Sequence, residues 1–309
     1  MVREIFEYVL RDMRDPAGAF YSAEDADSEG EEGRFYVWTP SRVEQVLGGE
    51  AAEIFCRFYD ITEAGNFEHG RSIPHAARPV ELQASRFGME PAGLSSLLED
   101  CRKKLLAARD LRVHPLKDDK ILASWNGLMI AALARGARAL AEPAYAEAAR
   151  ASADFILKTL RPENGAGRLH RRYRDGEVSN PAYADDYAFL IWGLIELFES
   201  VSETRYLEEA VALQRQMIDL FWDHENGGFY YTGSDGEAMI VREKDIYDGA
   251  VPSSNSVAAL NLLRLDRLAG NPEFGEKAER IIAFFSSMVS DFPSAYTQFL
   301  IAADWAIGK

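Results

Sequence analysis

Four stretches of this chain concentrate side chains able to hold and work on a polar ligand: Asp118-Asp119-Lys120 with Ser124-Trp125-Asn126; Tyr183-Ala-Asp185-Asp186-Tyr187; Asp245-Ile-Tyr247-Asp248 with Ser253-Ser-Asn255; and Glu24-Asp25-Ala-Asp27. Carboxylates bond sugar hydroxyls and move protons, amides add further hydrogen bonds, and rings such as Trp125 and Tyr187 stack on a pyranose face. Asp119, Asp186 and Asp248 are the candidates for proton handling, because each lies beside a residue that can already cap the following helix. Glu24, Asp25, Asp27, Trp125, Asn126, Asp185, Tyr187 and Asn255 are the candidates for holding substrate. A structural reading competes at every one of these positions. An Asp or Ser ahead of a helix caps it for about 1 kcal/mol, and Trp or Tyr more often packs a core. A helix N-terminus favours the ionised carboxylate, which suits a base or nucleophile, whereas a general acid needs an apolar pocket.

Other chemistries find little support. His69, His75, His114, His170 and His224 share no metal-ligand spacing, and only His170 falls in a segment expected to face the rim on which the four stretches converge. Cys56 and Cys101 are far apart, without a CxxC, and read as free thiols. No GxGxxG, Walker loop or nucleophile elbow is present, so neither a cofactor nor a metal is expected. A formal net charge of −16 disfavours nucleic acid and anionic membrane surfaces and suits a neutral polar or a cationic ligand. Apolar runs are broken by Arg, Glu or Asp well short of the roughly 20 residues a bilayer needs, so the expected compartment is the cytoplasm.

The elements that position these residues repeat. Three helix-turn-helix units share one turn chemistry, at Leu140-Ala-Glu-Pro143-Ala-Tyr145, Val201-Ser-Glu-Thr204-Arg-Tyr206 and Leu268-Ala-Gly270-Asn271-Pro272-Glu-Phe274. In the last, Gly270 suits a left-handed cap, Asn271 an N-cap and Pro272 a first helical turn. Helices are predicted at Val2 to Met13, Pro40 to Leu47, Ala51 to Tyr59, Leu94 to Arg109, and about 121–140, 144–160, 184–201, 204–222, 254–269, 273–289 and 293–307. The first helix of each unit is nearly free of charge and the second alternates charge with an apolar stripe, which predicts an inner and an outer layer. Short glycine-aromatic strands follow the outer helices, at Gly165-Ala-Gly167-Arg-Leu-His170 and Gly227-Gly-Phe-Tyr-Tyr231, and Pro16-Ala-Gly18-Ala-Phe20-Tyr21 repeats the pattern. Residues 18–38 read as a β-hairpin pairing Ala19 to Tyr21 with Arg34 to Trp38 around the acidic loop, whose Glu29 to Glu32 tip is solvated.

With 309 residues, 47% of them hydrophobic, the chain can bury one large core. The expectation is an all-α fold, an α/α toroid over 1–309 with short β-hairpins on one rim and an insertion-like segment at 39–117. Val2 to Met13 has no preceding partner helix. That predicts either an incomplete barrel with an exposed apolar flank, the C-terminal part of a longer protein, or a ring closed by the last helix.

The motifs around Asp118 to Ile130, Asp185 to Ile191, Asp248 to Val257 and Phe20 to Gly33 resemble, in order and nearly end to end, those of thioredoxin-domain-containing proteins related to the spermatogenesis-associated thioredoxin-like protein. The resemblance implies a six-hairpin α/α barrel similar to N-acylglucosamine 2-epimerases and six-hairpin glycosidases, preceded in the family by a thioredoxin-like domain that this sequence does not contain. Epimerases of that kind use paired histidines, which find no match here; the acid-rich rim is closer to a glycosidase's. The resemblance thus implies a domain acting on or binding a sugar through Asp119, Asp186 and Asp248. The alternative is a non-catalytic sugar- or protein-binding scaffold serving the thioredoxin-like domain.

Overall fold

The computed structural model describes residues 1–162, 167–237 and 239–308. In chain order its helices are α1 (Val2–Asp12), α2 (Pro40–Leu47), α3 (Gly49–Phe58), α4 (Val80–Gln83), α5 (Pro91–Arg109), α6 (Ala123–Leu140), α7 (Pro143–Thr159), α8 (Ala184–Val201), α9 (Thr204–Phe221), α10 (Ser254–Ala269), α11 (Pro272–Asp291) and α12 (Thr297–Ile307). The strands are β1 (Ala23–Glu24), β2 (Asp27–Ser28), β3 (Glu31–Glu32), β4 (Lys117–Asp118), β5 (Ile121–Leu122), β6 (His170–Arg174) and β7 (Glu177–Pro181). Two compact units result: Met1–Ser22 with Asp119–Lys309, and Ala23–Asp118. Among the described residues no helix is long and apolar enough to cross a membrane.

In the first unit the predicted turns form. Gly270 takes the left-handed conformation, the Asn271 side chain accepts from the Glu273 N–H, and Pro272 opens α11. Ala141 and Ser202 adopt the same left-handed cap after α6 and α8, at some steric cost because neither is glycine. Helices α6, α8, α10 and α12 pack in series as an inner layer, while α7, α9 and α11 each pack on the inner helix before it. Among the described residues α12 makes no comparably extensive contact with α6, so the inner layer is an arc of an α/α toroid.

The layers follow from periodicity. Tyr206, Ala210, Leu213, Met217 and Phe221 form the single buried stripe of α9, and Phe274, Ala278, Ile281, Phe285 and Val289 that of α11. Helix α8 instead buries Tyr187, Phe189, Leu190, Ile191, Leu194 and Ile195, residues that point in every direction around its axis. It can do so because α6 comes within backbone contact of it. A Cβ on Gly127 would stand 2.4 Å from the Phe189 carbonyl carbon, and one on Gly193 2.6 Å from the Gly127 carbonyl oxygen. Strands β5, β6 and β7 form an antiparallel sheet ahead of α6 and α8, with Leu122 opposite Arg172 and His170 opposite Pro181.

The second unit begins at Ala23, not at 39, and its entry and exit strands β1 and β4 pair with each other. Its core gathers Trp38, Val43, Phe55, Phe58, Leu94, Leu98, Cys101 and Leu105 from α2, α3, α5 and the segment ahead of α2. The predicted pairing of Ala19 to Tyr21 with Arg34 to Trp38 does not form. The hairpin lies inside the acidic run: β2 pairs with β3 across Glu29 (φ 53) and Gly30 (φ 77), the double positive φ of a type I′ turn, while residues 33–36 make a further turn. Helix α4 is a short helix that the sequence pattern does not predict, and α12 begins at Thr297 after a single 3-10 turn at Pro293–Ala295. Of the glycine-aromatic strand at Gly165, the first two residues lie outside the described residues.

Candidate functional site

Three of the predicted ligand-holding residues occupy one repeat position, and it is structural. Asn126 in α6 accepts from the Phe20 N–H (2.8 Å) and the Ser152 hydroxyl (3.0 Å), and donates to the Phe20 and Leu122 carbonyls (3.0 and 2.9 Å). Asn255 in α10 does the same for Phe229, accepting from its N–H at 2.7 Å and donating to its carbonyl at 2.9 Å and to that of Asp245 at 2.9 Å. In α8 the position is Tyr187, whose hydroxyl accepts from the Leu169 N–H (3.2 Å) and donates to Gln216 (2.6 Å). Each side chain ties the segment that follows an outer helix to the next inner helix. All three are buried with these bonds made, so none presents a group to a ligand.

Asp248, predicted to handle protons, is also a joint. Its carboxylate accepts from the Ser253 N–H at 2.8 Å and from the Gln298 and Phe299 N–H groups at 2.8 and 3.0 Å, capping the otherwise uncapped start of α12. Asp119 is half-exposed and ion-paired with Arg174 at 2.6 Å. Glu24, Asp25 and Asp27 belong to the second unit: Glu24 accepts from the Tyr36 hydroxyl (3.1 Å), and Asp25 accepts from the Asp27 N–H (3.1 Å) in a local turn. Trp125 is 46% exposed. The His170 Nδ1 is buried without a hydrogen-bond partner. Among the described residues no group of three or more His, Cys, Asp or Glu side chains is arranged to hold a metal ion.

What the first unit does assemble is a cluster at the N-terminal end of α8. Asp186 is fully buried, its carboxylate accepting from the Tyr183 N–H (3.0 Å), the Ser124 N–H at the start of α6 (3.1 Å) and the Arg171 guanidinium of β6 (2.9 Å). The same Arg171 nitrogen bonds Asp185 (3.1 Å), and its guanidinium lies over the Tyr183 ring at 5.1 Å. Tyr183, 38% exposed, stacks on Tyr231 with ring centroids 5.2 Å apart. Asp245 accepts from the Ser254 N–H (2.7 Å) and hydroxyl at the start of α10 and lies within Coulombic reach of Asp185. Two carboxylates thus share one guanidinium, with a third close by.

The electrostatics follow. Burial and then the neighbouring Asp185 push the Asp186 carboxyl up to about 7, against the opposing pull of Arg171, the Tyr183 N–H and Ser124. Burial raises Asp245 as well, with Asp185 adding to the effect, and burial followed by Asp185 lifts the Tyr231 phenol to about 12. The Ser124 hydroxyl beside Asp186 is buried and unbonded. Asp185 and Asp186 were legible as candidates. Nothing in the sequence pattern singles out Arg171, Tyr231 or Asp245, although Asp245 stands three residues from Asp248 in the same motif.

A carboxyl raised on folding stabilises the fold fully below its unfolded pKa, about 4, and loses that contribution as pH rises through its folded value. For Asp186 the window is therefore from about 4 to about 7. Asp186→Asn mimics the protonated side chain. Urea unfolding across this range is expected to show the variant's deficit relative to wild type largest at the acid end and smallest near neutrality; a pH-independent difference would mean that Asp186 does not titrate there.

The paired inner and outer helices, their serial packing and the loops gathered ahead of the inner helices define an α/α-toroid domain. No protein-family model matches the chain. It is a homologue of spermatogenesis-associated protein 20, being 35% identical to the human protein over 98% of this chain and 34% identical to the mouse protein over 96%. It spans 42% and 41% of those two proteins, under half of their length. An uncharacterised Caenorhabditis elegans protein is 30% identical over the whole chain, which covers 46% of it. Solved structures with a partial likeness include a D-mannose isomerase (12% identity, TM-score 0.47, 92% of this chain and 83% of that one) and the cellobiose 2-epimerase from Bacillus thermoamylovorans (9%, 0.46, 93% and 72%).

Proposed function

We propose that the first unit binds a sugar at the cluster around Asp185 and moves a proton on it. One observation carries this reading: Asp185, ion-paired with Arg171, stands within Coulombic reach of Asp245, a carboxyl held towards its protonated form. Two neighbouring carboxyl groups in different environments, one ion-paired and one raised by burial, can accept a proton at one ligand atom and deliver one at another. The half-exposed Tyr183 ring, backed by Tyr231, offers a stacking face, and Arg171 offers donors to hydroxyl oxygens. Asp185 and Asp245 are the proton-handling groups in this proposal. Asp186, wholly buried, is a positioning residue that orients Arg171 and Tyr183.

The test is a titration of glucose, mannose, N-acetylglucosamine and cellobiose by saturation-transfer NMR, with turnover followed by changes at the anomeric and C2 protons. Asp185→Asn is expected to weaken binding roughly tenfold, through the loss of a charge-assisted hydrogen bond. Any turnover should fall about 10²- to 10⁴-fold. The melting temperature should hold, because Asp185 bonds only Arg171 among the described residues. If no sugar binds, or if Asp185→Asn changes neither binding nor turnover, the reading fails, and a scaffold serving a thioredoxin-like domain becomes the better account.

A further inference from the structure

The second unit carries a feature unrelated to the acid cluster. A cavity of about 400 Å³ is lined by the apolar Val46, Ala108, Leu111 and Val113 together with Arg34, Arg42 and Arg112. In a chain of net charge −16, three guanidinium groups around one small cavity are a local inversion of sign. They are not equivalent. Arg34 is neutralised by Glu29, also on the cavity wall, and by Glu31, each at 3.0 Å. Arg112 has no carboxylate partner among the described residues: one of its nitrogens donates to the Phe35 and Val37 carbonyls (2.7 and 3.0 Å), and its guanidinium lies 4.0 Å from the Trp38 ring centroid. Burial, then Arg42 and Arg109, lower its pKa to about 10. Arg42 likewise has no ion pair among the described residues and is exposed at the rim of the cavity.

A half-buried guanidinium held by carbonyls and a ring, with a second, exposed and unpaired guanidinium on the same cavity, leaves positive charge available to an anion. Two Arg forks suit a phosphate or carboxylate group, and the apolar lining residues suit an apolar body. The volume matches a small molecule.

We propose that this cavity is a binding site for a small organic anion, a phosphate or carboxylate group on an apolar body, with Arg42 and Arg112 holding the anionic end and Val46, Leu111 and Val113 covering the rest.

Phenyl phosphate and benzoate serve as probes, with inorganic phosphate and benzyl alcohol as the separated halves, on the whole chain with methyl-labelled Val and Leu. Phenyl phosphate or benzoate is expected to bind saturably, one per chain, shifting the Val46, Leu111 and Val113 methyl signals and the Trp38 indole signal, while the separated halves bind at least tenfold more weakly. Arg42→Gln should weaken the anion roughly tenfold with no change in melting temperature, since Arg42 supports no core contact. Arg112→Lys keeps a charge but loses the fork, and should weaken it as well. No saturable binding of either anion by about 10 mM, weaker than any useful site, overturns the proposal. So does binding that shifts other methyls, or that is unchanged in both variants.

Discussion

Gly127→Ala is expected to cost about 3 kcal/mol or more, at the upper end of what overpacking a core produces, and to lower the melting temperature by roughly 6 to 12 °C for a chain of this size. The added methyl would meet backbone and not a side chain. It would stand 2.4 Å from the Phe189 carbonyl carbon and 2.5 Å from both the Phe189 oxygen and the Leu190 nitrogen. A side chain could rotate away, but two helix backbones must separate. Separation would pull α6 from α8 along the seam that also places the Ser124 N–H on Asp186, so damage to the candidate site should accompany the loss of stability. Gly93→Ala in α5 is the control: its Cβ would lie an ordinary 3.7 Å from the Met89 side chain, and alanine should stabilise that helix by up to about 1 kcal/mol. Thermal and urea unfolding of the two variants side by side provide the check. A Gly127→Ala protein melting within 2 °C or so of wild type would contradict the backbone contact between α6 and α8.

What could be read from the sequence was whatever depends on neighbours in the chain. The Gly270-Asn271-Pro272 turn, the outer stripes of α9 and α11 and the inner character of α8 are all local patterns, and the structure forms each of them. The roles of the polar residues were not legible in the same way. An amide that can bond a sugar hydroxyl can equally bond a peptide, and Asn126 finds its peptide 106 residues away at Phe20. Asp245 and Asp248 share one motif. Their roles divide only because the start of α12 lies over Asp248 and takes its carboxylate, a fact of tertiary packing. Arg171 was hidden among the basic residues of β6, since nothing but the β5–β6–β7 sheet says which of them turns towards α8. The acidic hairpin misled for another reason: its turn is Glu29-Gly30, whose first residue is not one of those that usually announce a type I′ turn.

Glu196→Gln is expected to destabilise the fold by about 3 to 5 kcal/mol, the cost of leaving one side of a buried ion network uncompensated, while leaving the proposed sugar binding at Asp185 unaffected. Glu196 sits three turns further along α8 and is almost fully buried. It accepts from Arg264 of α10 (2.8 Å), from Arg138 of α6 and from the Trp192 indole (3.3 Å), so a single carboxylate joins three inner helices. Glu199 completes the network, pairing with Arg138 at 2.7 Å and Arg264 at 2.8 Å. Burial works against the Glu199 charge, but the hydrogen bonds from Arg264 and then Arg138 prevail and hold its pKa below the ordinary Glu value. A lowered acid contributes stability above its unfolded pKa and loses it as pH falls through the folded one, so this network should weaken in acid. That is the opposite sign to Asp186, whose contribution is greatest in acid. Unfolding of Glu196→Gln at neutral pH measures the main loss, and the double variant with Arg264→Met should recover part of it by removing the stranded cation. If the single change costs under about 1 kcal/mol, the value of a surface pair, the network does not tie the inner helices together.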